Sequence, residues 1–228
     1  MKLIFIHGSG GCKEAWQFQS KHFKDPLALN LPGHPDGNLC TSIAEYSAWL
    51  HSYIQEQGFK DVVLVGHSMG GAIALQYAVD YPEALKGIVT IGSGARLRIH
   101  PDVLKMFEAA VAKPSLATQF SDQTYKLIDP SLAEILQTRD QQNTPAAFLN
   151  DFKACDKFDI MEGLSKITKP LLAVVGDQDV LTPPKYSTFL VNNVENAQQV
   201  LIPGGTHYVF AEKPNEVNQA IENFIQSL

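Results

Sequence analysis

Apolar residues in this 228-residue chain gather in short runs separated by longer segments of mixed character. The runs are Leu3–Ile6, Leu27–Leu29, Val62–Val65, Ile88–Ile91, Leu171–Val175 and Val200–Ile202. They are β-branched or Leu-rich and lack polar alternation, the pattern of parallel strands covered on both faces. Helical spacing fills several of the gaps. From Ser42 to Gln57, residues Ile43, Tyr46, Leu50, Tyr53 and Ile54 share one helix face. Ser42 and Glu45 fit a capping box at its start, and Gly58 fits its stop. A small-residue helix is expected from Gly70 to Val79, ending before Pro82. A last helix is expected over about Pro214 to Gln226, with Val217, Ile221, Phe224 and Ile225 inward and Pro214 in its first turn. Strands alternating with helices predict an α/β fold around a parallel sheet.

The alternation breaks between about Gly94 and Ile167, where no strand-like run stands out. Val103, Leu104, Phe107, Ala110 and Val111 predict an amphipathic helix, and Leu132–Gln137 and Ala146–Cys155 predict two more. A stretch of more than about 60 residues is too long for a bare loop in a compact domain. The chain therefore reads as one domain, 1–228, with a helical cap insertion at about 95–166 over one end of the sheet. Apolar residues of the insertion can serve as core or line a substrate pocket.

Charge and cysteine content narrow the function. Eighteen basic residues against 24 acidic ones give a net charge of −6. That leaves no electrostatic footprint for a nucleic-acid backbone or an anionic membrane, so a small molecule is the default partner. Cys12, Cys40 and Cys155 are odd in number and form no CxxC pair, which argues against a disulfide framework and against zinc. Reduced thiols suit a cytoplasmic protein. The first apolar run is shorter than the roughly 7–15 residues of a signal-peptide core. No run approaches the roughly 18 apolar residues of a membrane span. A monomer or homodimer is expected.

Three segments carry chemistry. Gly66-His67-Ser68-Met69-Gly70 follows a predicted strand and opens a predicted helix, the context that the G-x-S-x-G pattern requires. A tight turn there forces Ser68 into a strained backbone, and flanking glycines remove the clashes that would forbid it. The hydroxyl then sits exposed at a helix N-terminus, where the dipole favours developing negative charge. A serine hydroxyl is a weak nucleophile that needs a base and an orienting acid. Of the seven histidines, His207 in Gly204-Gly205-Thr206-His207 is the one in a loop just after a late strand. Asp177 and Asp179 both stand at the carboxyl end of the strand Leu171–Val175, where sites of open α/β sheets collect, and either could orient an imidazole. The order Ser, Asp, His suits this architecture.

With these residues the chain resembles the α/β-hydrolase family, of the esterase-like type with a helical cap. The resemblance runs through Ile6-His7-Gly8, Leu31-Pro32-Gly33-His34, Gly66-His67-Ser68-Met69-Gly70-Gly71, Gly176-Asp177-Gln178-Asp179 with Thr182-Pro183, and Gly205-Thr206-His207 with Glu212-Lys213-Pro214. It implies a mostly parallel sheet of about six strands flanked by helices. The family pattern Gly-x-x-Asp falls on Gly176 and Asp179, which selects Asp179 as the acid. The resemblance also places the oxyanion hole at the backbone N–H groups of Ser9 and Met69, with Gly10 a lesser substitute for Ser9. His7 braces its loop, and Cys12 is a buried thiol or a pocket residue. The chain departs from the family in two places. Family members commonly have an antiparallel hairpin before the first His-Gly strand, which here starts at Lys2, so a smaller sheet is expected, with the second strand exposed at an edge or covered by something else. Asn30 stands where Asp often precedes Leu-Pro-Gly.

The implied activity is that of a serine hydrolase: a carboxylesterase acting on small or medium esters through an acyl-enzyme. A thioesterase, lactonase or C–C bond hydrolase could use the same triad, and a hydrolase-fold ligand-binding protein with little turnover is the alternative outside catalysis. No cofactor and no metal are expected. Nucleotide binding at Gly8-Ser9-Gly10-Gly11 is disfavoured by Lys13, where a dinucleotide loop needs a small residue, and by Cys12 and Glu14, which flank that lysine unlike a Walker loop. Dehalogenases and epoxide hydrolases of this fold place Asp at the position of Ser68.

Overall fold

Six strands form one sheet in the computed structural model, which describes residues 1–228: β1 (Lys2–Ile6), β2 (Leu27–Leu29), β3 (Val62–His67), β4 (Leu85–Ile91), β5 (Leu171–Gly176) and β6 (Ala197–Ile202). Their order is β2-β1-β3-β4-β5-β6, and every neighbouring pair is parallel. The chain steps from β1 outward to β2, then crosses back to β3 and proceeds the other way. The carboxyl ends of β1 and β3 therefore flank the topological switch point, where a crevice opens in such sheets.

Side chains of a strand alternate between faces, and here each face meets its own core. Ile4, Ile6, Leu64 and Ile88 pack with Tyr46, Leu50 and Ile54 of α2 (Ile43–Glu56) and Ile73 and Tyr77 of α3 (Met69–Asp80). Phe5, Val63, Val65 and Val174 pack with Trp16, Phe210, and Val217, Ile221 and Phe224 of the C-terminal helix Pro214–Gln226. Burial on both sides is why the central strands carry no polar alternation. The edges differ: β2 has three residues, and Gln198 and Gln199 of β6 are exposed.

Ser42 caps α2, its hydroxyl accepting from Glu45 N–H at 3.1 Å. The Glu45 carboxylate reaches back to Thr41 N–H at 2.7 Å, one residue earlier than in the predicted box. Four helices are added to the expected set. Besides α1 (Gln17–His22), three helices lie between β4 and β5: α4 (Pro101–Ala112), α5 (Ser115–Thr124) and α6 (Pro130–Lys157). Of these α5 was not predicted: it has only three apolar residues, Leu116, Ala117 and Phe120, and none of its residues is fully buried. In α4 Phe107 and Ala110 face inward, whereas Val111 is 49% exposed. The backbone of α6 breaks at Thr144, with φ 62° and ψ 152°, just before Pro145. Proline cannot continue the hydrogen-bond ladder and biases its predecessor away from helix. The two halves match the two predicted helices. The short helices α7 (Pro184–Asn193) and α8 (Val209–Glu212) were also not predicted; α8 precedes α9 (Pro214–Gln226). No helix is long and apolar enough to cross a membrane.

Candidate active site

Only Ser68 separates β3 from α3, and its φ of 52° and ψ of −115° lie outside the regions favoured by side-chain-bearing residues. Such strain costs about 1–3 kcal/mol and persists only where the surroundings hold it. Here Ser68 N–H donates to Ile91 O at 2.9 Å, and Ser68 O accepts from Gly71 N–H, Ala72 N–H and the Ser93 hydroxyl. The glycines are required by close approach. A Cβ on Gly66 would lie 2.1 Å from Gly70 O, and one on Gly70 would lie 2.2 Å from Ile6 O. The turn is pressed against itself and against β1, which leaves the Ser68 side chain facing a cavity.

From the ends of β5 and β6 come the partners of that site. His207 Nδ1–H donates to Asp179 Oδ2 at 2.9 Å. The other oxygen, Oδ1, accepts from Leu181 N–H and Thr182 N–H, both at 2.9 Å, and the Thr182 hydroxyl donates to Oδ2 at 2.7 Å. Burial alone would raise the Asp179 carboxyl, but the His207 contact and the Thr182 hydrogen bonds outweigh it and hold the group well below the usual carboxylate range. Asp177 is exposed and accepts from Gly204 N–H at 2.8 Å instead, so it ties the two loops and does not touch the imidazole. His67 Nε2 lies 2.9 Å from the carbonyl oxygen of His207, its ring 4.7 Å from the His207 ring. Burial, and next the nearby His207, push His67 far down, so it is neutral and its Nε2–H donates to that carbonyl.

Ser68 and His207 line one cavity of about 450 Å³. No hydrogen bond joins the Ser68 hydroxyl to the imidazole in this conformation; the contact of His207 is with Asp179. The lining is mostly apolar, including Leu97, Ile99, Val103, Phe120 and Phe152, with Arg98 and His100 among its polar members. A smaller chamber of about 50 Å³ adjoins it, bounded by Gly8, Ser9, Tyr125 and Tyr208.

The loop after β1 forms the remaining wall. Ser9 lines the cavity, and Met69 supplies the first N–H of α3, outside the helix's own ladder. Gly10 N–H is taken by Asp151 Oδ2 at 2.9 Å. His7 is buried and pushed down to about 3, by burial first and by His34 next. It is therefore neutral: Nε2 accepts from Leu31 N–H at 3.1 Å and Nδ1–H donates to Gly8 O at 2.8 Å. Asn30 keeps a supporting contact, its Oδ1 accepting from Lys13 N–H at 2.8 Å. Cys12 sits in the core away from the cavity, its thiol pushed up to about 12 by burial and by Glu14. The thiol that does line the cavity is Cys155, also pushed up to about 12 by burial and lying 3.6 Å from the Ser9 hydroxyl. No group of three or more His, Cys, Asp or Glu side chains is arranged to hold a metal ion.

Sequence reasoning missed Asp151, which is fully buried and accepts four hydrogen bonds. The signal was present: Ala147, Asp151, Ala154 and Cys155 share the buried stripe of α6, and a carboxylate on such a stripe demands partners.

The pattern of the Alpha/beta hydrolase family matches residues 3–220. Among curated proteins, the pimeloyl-[acyl-carrier protein] methyl ester esterase of Yersinia enterocolitica is 25% identical, over 98% of this chain and 93% of its own length. Among solved structures, a thermophilic esterase is 30% identical with a TM-score of 0.81, covering 99% of this chain and 90% of that one. A lipase-esterase related protein from Clostridium acetobutylicum is 25% identical with a TM-score of 0.82, covering 98% and 93%. Matched over nearly its whole length, the chain belongs to the alpha/beta hydrolase family.

Proposed function

We propose that this protein is a carboxylesterase for small or medium esters, working through an acyl-enzyme on Ser68. The observation that carries the reading is the Asp179–His207 pair opening onto the same cavity as the strained Ser68. Attack requires the Ser68 hydroxyl to come within hydrogen-bond reach of His207 Nε2, a contact that catalytic pairs often complete only with substrate bound. His207 takes the hydroxyl proton as Ser68 attacks the ester carbonyl, and Asp179 fixes the tautomer with Nδ1–H and stabilises the imidazolium. The N–H groups of Ser9 and Met69 hold the oxyanion. His207 then protonates the leaving alcohol, and water deacylates the enzyme by the same route.

The named activity of the Yersinia relative, a methyl ester esterase, agrees with a small alcohol leaving from a longer acyl group. A cavity of about 450 Å³ with a mostly apolar lining suits such an acyl chain. Residues 1–228 act as one hydrolase domain in this reading, with the helices of about 95–166 as its cap. The test is a panel of 4-nitrophenyl esters of graded acyl length. Wild type should turn them over, and Ser68→Ala should lose roughly 10⁴-fold or more of kcat while keeping its unfolding temperature. Wild-type rates in the Ser68→Ala variant would end the proposal.

A further inference from the structure

Three consecutive peptide units of the loop after β1 are held in place, two of them by the cap. A trans peptide is planar, so anchoring its C=O aims its N–H the opposite way. Gly8 O accepts from His7 Nδ1–H at 2.8 Å and from Gly11 N–H at 3.1 Å, which turns Ser9 N–H away from them. The next unit is fixed through Gly10 N–H, which donates to Asp151 Oδ2 at 2.9 Å. The third is fixed through Gly10 O, which accepts from Asn143 Nδ2–H at 2.7 Å; the same amide also reaches Gly11 O at 2.7 Å. The Phe148 ring presses on the open face of Gly10, where a Cβ would lie 2.3 Å from a ring carbon. Asn143, Phe148 and Asp151 all belong to α6, on the two sides of the Thr144 break.

Asp151 is itself locked. Oδ2 also accepts from His34 Nε2–H at 2.8 Å, and Oδ1 accepts from the Tyr46 hydroxyl at 2.8 Å and from Asn150 Nδ2–H at 3.4 Å. His34 and Asp151 are both fully buried. A buried ion pair is poor value for stability, since burying its charges can cost more than their attraction returns. What four donors around one carboxylate do provide is position.

We propose that Asp151, assisted by Asn143, is a positioning residue for the oxyanion hole: His7 aims the Gly8–Ser9 unit that carries Ser9 N–H, and the cap holds the two units that follow, so that the first cannot swing away. The inference rests on the reading of Ser9 N–H as an oxyanion donor. It makes the cap part of the transition-state machinery as well as a wall for substrate.

The experiment compares two ligands of the whole protein: an alkyl trifluoromethyl ketone, which forms an oxyanion with an active serine, and the matching methyl ketone, which binds as a ground-state analogue. Gly10 N–H on Oδ2 and Asn150 Nδ2–H on Oδ1 can only donate, so Asp151→Asn places an NH₂ against a donor in either orientation. That variant should lose about 10–10² in kcat and the same factor in trifluoromethyl ketone affinity, with KM and methyl ketone affinity within twofold. Asn143→Ala, which removes both 2.7 Å bonds, should show the same split, and it decides the matter if Asp151→Asn does not fold. Leu50→Ala, a core truncation in α2, controls for lost stability and should leave both affinities unchanged. Unchanged kcat and ketone affinity in folded Asp151→Asn and Asn143→Ala would overturn the inference, while an inactive Ser68→Ala would leave the esterase reading standing. Equal affinity of wild type for the two ketones would remove the oxyanion reading and this inference together.

Discussion

Thr182 holds Asp179 by both ends: its N–H donates to Oδ1 at 2.9 Å and its hydroxyl to Oδ2 at 2.7 Å. The Thr182 oxygen also lies 3.1 Å from Nδ1 of His207, so one side chain touches both members of the pair. Thr182→Val keeps shape and backbone bond and loses only the hydroxyl. A hydrogen bond to a charged group is worth about 1.5–3 kcal/mol, and that is the expected loss at pH 7. Asp179 has a depressed folded pKa, so its stabilisation is fully present above its unfolded value near pH 4 and fades as pH falls toward the folded one. The gap between variant and wild type should therefore shrink below about pH 4. Urea unfolding at pH 7 and at pH 3 measures it, and a gap that widens in acid would contradict the argument.

Asp179 and Asp177 are two residues apart and should behave oppositely. Asp179→Asn presents the wrong hydrogen-bonding group to Nδ1–H and is expected to lower kcat by about 10³–10⁴. Asp177→Asn keeps an oxygen for Gly204 N–H and should stay within about threefold of wild type. Steady-state rates on one activated ester decide the ranking.

Gly66 cannot take a side chain without moving backbone, because its Cβ would meet Gly70 O at 2.1 Å. Gly66→Ala should destabilise the protein by about 3 kcal/mol or more, at the upper end of overpacking costs. At this chain length that corresponds to a fall in Tm of roughly 6–12 °C. Esterase activity should fall further than stability does, since the displaced atoms carry Ser68. Calorimetry alongside kcat tests both parts.

Thiol chemistry should be irrelevant to turnover. Cys12 and Cys155 are buried, and burial pushes both up to about 12; Cys40 is half-buried and pushed up to about 11. Native protein should react slowly with Ellman's reagent at pH 8, three thiols should appear in guanidinium, and iodoacetamide should leave esterase activity intact. Stoichiometric inactivation by iodoacetamide under native conditions would point to a thiol in the chemistry.

The central strands were legible because burial on both faces leaves uninterrupted apolar runs, and all six predicted runs lie within observed strands, although β2 and β6 at the edges are only partly buried. The Pro214–Gln226 helix was legible to the residue, having Pro at its start and one strong apolar stripe. Helix α5 was not, because nothing on it is buried. The site divides in the same way. Ser68 announces itself through local sequence, since the strain at one residue demands glycines beside it. The choice of Asp179 over Asp177 depends on which carboxylate turns inward, which the residues alone leave open. Asp151 acts across 141 residues on Gly10, a contact that no short motif encodes.

The parts of the site enter the chain in an instructive sequence. Ser9 and Ser68 lie in its first third, while Asp179 and His207 follow β5 and β6, the last two strands to be added at one side of the sheet. A nascent chain or proteolytic fragment that stops short of residue 207 can hold the Ser68 turn and still lack the imidazole that the proposed mechanism makes its base. If the proposed triad is correct, turnover, unlike ligand binding, thus waits on strands β5 and β6 and on the loop that carries residue 207.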